Sequence, residues 1–555
     1  MAEPVLITGA DLDPATLEAI ARDGAPVAID AAARSRMATT AALVERAAAA
    51  GRPIYGVTTG LGARVTDPVD PGETAGYPLR TIRGRATGVG DPLPRELVRA
   101  AIAVRLNGLC AGGAGARPTL AEGLAALLNA GIHPAIPRSG SLGPADLCLM
   151  AHVGLALIGE GRAELDGVWM DAGDALGRCG LGPVPLGPRD GLAVCSSSAV
   201  AIGAAALALR DARACLDAAQ ISAALAMEGF RASLAPIDPR VVDARPAPGQ
   251  AWAAAGLRAL LAGGELEAAE RPRRLQDPLS VRCASQLHGA LHAALDFLEA
   301  AVMPELSGAA DNPLVLAGPS RDGEGDGEIL ATGNFASPAL ALALDGAAIA
   351  CAQVAHAIAE RQARLKEPRL SGLPANLVAV DPSRAASRSG VAPLSKTAAA
   401  LALEIRHLAA PVATLQAVVS DGVEDDSTGA LQGALRLREQ LAKLRLLVAL
   451  EMLVAAQAVD VASAVGGSAA NGSTAPGGSG ATGGLGRPGG PGNGTPPIGL
   501  GAGTRVAHRA VRELVPPLRE DRALGPEVER LERALVAGGA LAGRVRDALG
   551  TAAPR

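Results

Sequence analysis

From Gly429 to Ala464 the chain reads GALQGALRLREQLAKLRLLVALEMLVAAQAVDVASA. It holds one internal glycine, Gly433, and no proline. Leucine, alanine, arginine, glutamine and glutamate lose little side-chain freedom in a helix, so the run is predicted to be one continuous helix. It is roughly three times as long as the average globular helix. Similar Ala/Leu-rich stretches with few breakers lie at 95–112, 119–130, 146–160, 197–228, 250–262, 282–303, 338–366 and 395–419. Helices of such length favour a bundle over an alternating α/β sheet. The predicted fold class is mainly all-α, a long central helix bundle with a loop-rich N-terminal part. Short β pieces are expected near 4–7 and 326–332.

Hydrophobic residues make up 49% of the 555, yet aromatics only 1%, so the core must be built from alanine, leucine and valine. Small side chains let helix axes approach closely, which suits a large bundle. A net charge of −5 gives no reason to expect nucleic acid or an anionic membrane as partner. Residues 1–30 lack a basic segment followed by an apolar run, so no signal peptide is expected. No uninterrupted apolar stretch of membrane-spanning length is read. The seven cysteines are scattered without paired spacing, which predicts reduced thiols and a cytoplasmic protein.

Residues 466–503 form a Gly/Ser/Pro/Asn tract that cannot bury enough apolar surface to offset its ordering entropy. It is expected to be a disordered insertion. The expected organisation is an N-terminal domain over 1–195, a central long-helix bundle over 196–465, the insertion, and C-terminal helices over 504–555.

Residues 139–152 read Ser-Gly-Ser-Leu-Gly-Pro-Ala-Asp-Leu-Cys-Leu-Met-Ala-His. Further blocks are YGVTTGLG at 55–62, RLN at 105–107, GPVPLGPRDGLA at 182–193 and ARPAPGQ at 244–250. QDPLSVRC at 276–283, DNPLV at 311–315, GNF at 333–335 and VEDD at 423–426 complete the series. In order and spacing, from about residue 50 to 460, these blocks resemble the histidine and aromatic amino acid ammonia-lyases. The family signature at the first block is Gly-Ser-Val-Gly-Ala-Ser-Gly-Asp-Leu-Ala-Pro-Leu-Ala-His. The resemblance implies a bundle of the ammonia-lyase/fumarase-like type and a homotetramer with active sites shared between chains.

The resemblance also locates a departure. The family's Ala-Ser-Gly cyclises and dehydrates to the electrophilic prosthetic group MIO. Here Gly143 and Asp146 enclose only Pro144 and Ala145. Neither residue has a hydroxyl to lose, and no glycine nitrogen follows to attack a carbonyl. Proline also fixes φ in a loop that would have to close tightly. Arg138-Ser139-Gly140 is an X-Ser-Gly tripeptide, but it lies upstream of the family position. No MIO and no other cofactor is therefore expected. Other changes fall nearby: Ser196 stands for the asparagine that serves MIO, Arg85 for a histidine, Leu279 for a tyrosine and Asp426 for a histidine.

Other positions match. The resemblance implies that Tyr55 removes the substrate's β-proton and that Arg282 pairs with its carboxylate, for which a planar guanidinium fork is suited. Gln276, Asn312, Phe335 and Glu424 match pocket positions. An ordinary phenol, with a pKa near ~10, is a poor base at neutral pH unless cations assist it. Arg85 could provide that field or bind a second anionic group. Against these readings, Tyr55 could simply anchor its turn, and Arg282 could sit in an intra-helix ion pair.

Three patterns invite metal readings and are read otherwise. His288 and His292 are four apart but lack the glutamate of HExxH and a third ligand. Asp322 to Glu328 resembles a calcium loop, but the twelfth position is Gly333. Asp421, Glu424, Asp425 and Asp426 are read as acids at a helix N-terminus. No metal is expected.

The sequence thus predicts an MIO-independent enzyme of this superfamily. It would act on a small carboxylate or amino-acid-like substrate by Tyr55-based proton abstraction, in elimination, addition, isomerisation or cyclisation. The alternatives are a non-catalytic paralogue that binds a carboxylate or partners another subunit, and a conventional histidine-like ammonia-lyase. A tyrosine alone does not supply the ~8–23 kcal/mol that enzymes take off such barriers. The substrate should therefore carry a better leaving group, a more acidic proton or its own electrophile.

Overall fold

The computed structural model describes residues 3–268, 274–319, 326–378, 387–470 and 499–550. Its longer helices, in chain order, are α1 (Ala31–Ala49), α2 (Tyr77–Arg85), α3 (Arg95–Cys110), α4 (Pro118–Ala130) and α5 (Leu147–Leu157). Then come α6 (Ala199–Phe230), α7 (Gln250–Leu261), α8 (Ala284–Ser307), α9 (Pro338–Leu365) and α10 (Leu394–His407). The last are α11 (Ala430–Ala470), α12 (Ala502–Leu514) and α13 (Ala540–Leu549). The mainly helical class expected from the Ala/Leu runs is the one observed.

Two boundaries differ from expectation. α10 ends at His407, not near 419, because Pro411 disfavours helical geometry in the residue before it. α11 runs on to Ala470, into the glycine-rich tract. The rest of that tract, 471–498, lies outside the described residues, as does 320–325 in the calcium-loop-like stretch. The helix α1 is an addition to the reading. Asp30 caps it by accepting the Ala32 N–H at 2.9 Å.

The chain divides into two compact units, each gathered from three stretches of sequence. The first comprises Met1–Arg210, Phe297–Asp345 and Pro411–Leu437. It holds the small sheets: β1 (Val5–Ile7) parallel to β2 (Val27–Ile29), and β3 (Val89–Pro92) antiparallel to β5 (Pro137–Ser139). β4 (Ile132–Pro134), β6 (Arg162–Leu165) and β7 (Val168–Asp171) form an antiparallel three-stranded sheet. β8 (Leu314–Ala317) pairs antiparallel with β9 (Gly327–Leu330). Small residues set the helix spacing. A Cβ on Gly203 of α6 would stand 3.0 Å from Ala100 Cβ on α3.

The second unit comprises Asp211–Asp296, Gly346–Ala410 and Arg438–Arg555. A Cβ on Gly229 would stand 2.8 Å from Ala458 Cβ, so α6 and α11 meet here through glycine and alanine. A buried ion pair sits among these helices. Arg361 Nε and Nη2 donate to Glu451 at 2.6 and 2.9 Å, and the Ser222 hydroxyl donates to the same carboxylate at 2.6 Å. Glu228 accepts from the Gly501 N–H and the Thr504 hydroxyl, both at 2.9 Å, which anchors the start of α12.

Contrary to expectation, three helical segments are long and apolar enough to cross a membrane by length and composition: Asp190–Phe230, Pro338–Leu365 and Ala430–Ala464. Their most apolar windows are 100%, 67% and 83% buried within the protein, so they form core. All seven cysteines are free thiols.

Removing one partner of a buried ion pair leaves an uncompensated charge and costs ~3–5 kcal/mol, whereas replacing both by apolar residues is often neutral. Arg361→Met is therefore expected to lower the unfolding midpoint in urea strongly. The double variant Arg361→Met with Glu451→Met should recover most of it.

Candidate active site

Tyr55 lies in the turn that follows α1. Gly56 adopts φ +68°, a left-handed conformation that favours glycine, and a Cβ there would stand 2.2 Å from Leu192 Cδ2 and push that side chain aside. The Gly62 N–H donates to Tyr55 Oη at 3.0 Å, which closes the turn around the phenol. Tyr77, on the first turn of α2, donates its hydroxyl to the Thr59 carbonyl at 3.3 Å. The chain's only two tyrosines thus share one corner. Gly62 also lies against Ser420, with 3.7 Å between its built Cβ and the serine Cβ. The 420–422 turn therefore flanks the Tyr55 turn.

A cavity of about 700 Å³ opens beside this corner, lined by residues 60–64, Tyr77, Arg80, Arg85, Ser420 and Asp421 among others. Arg85 ends α2, is half-buried, and forms no ion pair among the described residues. Burial pushes the Tyr77 phenol above its ordinary value, and Arg85 opposes that rise. Burial pushes the Cys195 thiol up to about 12, again opposed by Arg85. The guanidinium thus acts on both the Tyr77 corner and the segment leading to Ser196.

The 139–146 loop is tied down on all sides. Ser139 ends β5 and pairs with Val89, which places Arg138-Ser139-Gly140 in and beside a strand rather than a tight ring-forming turn. The Ser141 hydroxyl donates to Asp146 at 2.5 Å, and the Gly143 N–H donates to that hydroxyl oxygen at 3.1 Å. Gly143 adopts φ +106°, and a Cβ there would stand 2.1 Å from Thr428 Oγ1. Ala145 takes a left-handed φ of 60°. Asp146 is fully buried; it accepts the Ala201 N–H at 3.0 Å near the start of α6, while its own N–H donates to the Ser197 carbonyl at 2.9 Å. Burial pushes its carboxyl up to about 6, against the hydrogen bonds from Ser141 and the α6 backbone. Between Gly143 and Asp146 no side chain offers a hydroxyl, Pro144 has no amide hydrogen, and the Asp146 N–H is engaged.

Ser196 is buried at the end of a short helix, Asp190–Cys195. Two residues on, the Ser198 hydroxyl lies 3.4 Å from the Gly143 carbonyl and 3.1 Å from the Phe335 carbonyl, joining the loop to the Phe335 turn. The Asn312 side chain is used structurally: its Oδ1 accepts the Thr332 N–H at 3.0 Å. Arg105 and the buried Asp311 pair beneath it at 2.7 Å. Glu424 is half-buried and closes a backbone bridge with Val419. The neighbouring acids do not begin a helix; they lie in a loop and a 3-10 turn, Ser420–Gly422, ahead of α11. Asp426 is exposed in that loop.

Gln276, Leu279 and Arg282 belong to the second unit, on one anchored turn. Asp277 accepts the Ser233 N–H at 2.7 Å, and Arg361 Nη1 donates to the Ser280 carbonyl at 2.9 Å. Gln276 is exposed, Leu279 is 62% exposed, and the half-buried Arg282 makes no intra-helix ion pair among the described residues. The structure thus gathers Tyr55, Arg85, the 143–146 loop, Ser196, Phe335 and Glu424 in the first unit. It gathers Gln276, Leu279 and Arg282 in the second. Tyr77, Ser141 and Ser198 were not singled out from sequence; only Tyr77 carried a signal, as the second tyrosine of an aromatic-poor chain.

The metal-like patterns resolve otherwise. His288 is buried with Nδ1 2.9 Å from Gln220 Oε1, and His292 stacks on Trp252 and pairs with Asp296. No cluster of three metal-ligating side chains occurs among the described residues.

This fold, with a signature loop packed against a long helix, is that of a known class of carbon–nitrogen lyases. The profile of the aromatic amino acid lyases matches residues 12–475, and the chain belongs to that family. A probable histidine ammonia-lyase of Halobacterium salinarum is 35% identical, over 99% of this chain and 98% of that one. A tyrosine aminomutase structure from Streptomyces globisporus is 30% identical with a TM-score of 0.86, covering 99% of this chain and 100% of that one. The ergothioneine-degrading ergothionase of Treponema denticola is 25% identical with a TM-score of 0.83, covering 98% and 99%.

Two measurements test this geometry. In a Tyr55→Phe background Tyr77 is the sole tyrosine, and adding Arg85→Gln should move its alkaline absorbance titration upward. Asp146 carries its proton in the folded chain up to about pH 6, whereas an unfolded carboxyl loses it near pH ~4. Its contribution to stability is therefore present at low pH and is lost as pH rises through that window. Wild type should gain thermal stability relative to Asp146→Asn on going from pH 7.5 to pH 5; no relative change would contradict the assignment.

Proposed function

We propose that this chain is a carbon–nitrogen lyase acting on histidine or a close imidazole relative, and that it works without MIO. Tyr55 takes the proton from the β-carbon, the electron pair forms the new double bond, and the amine leaves from the α-carbon. Arg282 holds the carboxylate. The observation that carries the MIO-free reading is the Gly143–Asp146 segment, which lacks the required atoms while the Tyr55 turn is kept closed by Gly62. The imidazole class rests on the names of the relatives, which act on histidine and on ergothioneine.

The relatives named histidine ammonia-lyase favour a second reading, a conventional ammonia-lyase with an electrophile of its own. The two differ in the leaving group. Ammonia is expelled poorly without an electrophile, whereas a trimethylammonium betaine such as ergothioneine releases a neutral amine with no proton to add. A cytoplasmic homotetramer with active sites shared between chains belongs to the same proposal.

The deciding experiment is intact mass together with amine release from L-histidine, L-tyrosine and ergothioneine. A mass equal to the plain chain, with turnover of an imidazole substrate, is expected. Tyr55→Phe should then lower kcat by ~10²–10⁴-fold, the usual weight of a general base, with KM little changed. A mass short by two waters with ammonia released from histidine would establish the conventional reading. Tight binding without turnover of any substrate would leave a non-catalytic carboxylate binder.

A further inference from the structure

The cavity beside Tyr77 holds charges of both signs, and all but one are provided for. Arg80 pairs with Glu73 at 3.3 Å and also donates to its backbone carbonyl at 2.8 Å. The Asp70 carboxylate accepts the Gly72 N–H at 2.7 Å. Arg64, Asp67 and Asp421 are exposed and solvated. Arg85 differs: it is half-buried and has no ion pair among the described residues. Tyr77 and Cys195, both near enough for Arg85 to act on them, are both pushed up by burial, so both are neutral at pH 7 and neither supplies a counter-charge. A partly desolvated guanidinium left without an anion is costly, and its planar fork is shaped for two oxygens.

We propose that Arg85 is an anion subsite that selects a substrate carrying a second acidic group, a carboxylate or sulfonate, distal to its α-carboxylate. This rests on the proposed reading of the site as one for amino carboxylates, and within it favours an acidic substrate or an acidic imidazole derivative over histidine itself. Family histidine at this position could not hold such a group with a permanent charge; arginine can.

The test is titration calorimetry of the full chain with probe pairs that differ by one distal charge. Suitable pairs are L-aspartate with L-asparagine, L-glutamate with L-glutamine, and 4-carboxy- with 4-carbamoyl-L-phenylalanine. In at least one pair the acidic member should bind wild type ten times or more tightly than the neutral one. Arg85→Gln should reduce that preference to within twofold, and Arg85→Lys should keep part of it, with unchanged circular dichroism for both variants. No preference in any pair, or a preference that survives Arg85→Gln, overturns the inference. Arg282→Gln separates the two claims. Equal weakening of both members while Arg85→Gln does nothing would sink the subsite and spare the site reading. The reverse pattern would sink the role of Arg282 and spare the subsite.

Discussion

The Asp146 carboxylate is the contact on which the site's architecture depends. One oxygen takes the Ser141 hydroxyl and the other takes the Ala201 N–H at the start of the 32-residue helix α6. The same residue's N–H holds the Ser197 carbonyl. One buried side chain therefore fixes the signature loop, the serine corner and the end of a long helix relative to one another. Its burial is expensive, as its raised carboxyl pKa shows, and the expense is tolerable because backbone and hydroxyl donors surround it.

That arrangement explains which parts of the 139–152 signature persist. Gly143 is kept because its φ and the approach of Thr428 exclude any side chain. Ser141 and Asp146 are kept because each completes the other's hydrogen bonding. Pro144 and Ala145 occupy the interval in which the family builds its electrophile, and neither side chain makes a hydrogen bond. The residues that hold the loop, Ser141, Gly143 and Asp146, are thus distinct from Pro144 and Ala145 between them.

The helices were legible because their signal is local: Ala/Leu runs such as 429–464 specify helix without long-range contacts. α1 was missed because Arg34, Arg36 and Glu45 dilute its apolar pattern, although Asp30 offers a helix-start signal. α10 stops short of the end that its Ala/Leu pattern predicts because Pro411 follows it. Site positions could be named from motif order, but not their surroundings. That Asn312 spends its side chain on Thr332, or that Ser198 bridges two carbonyls, depends on residues 20 and 137 positions away. Tyr77 stood out only as the chain's second tyrosine; its contact with the Thr59 carbonyl depends on a turn that only the fold brings close.

The arginines sort themselves by what faces them, and this sorting separates scaffold from function. Arg105 with Asp311 and Arg361 with Glu451 are buried ion pairs, so their charges are internal fixtures. Arg189 is buried as well and spends its fork on the Ala114 and Asn312 carbonyls. These side chains are buried and held by protein oxygens, unlike an arginine that faces a cavity. Arg85 and Arg282 are the half-buried exceptions at motif positions, each without an ion pair among the described residues. A folded chain gains nothing by partly desolvating a guanidinium that it does not pair. Their unpaired charges are what the proposed anion subsite at Arg85 and the proposed carboxylate contact at Arg282 rest on.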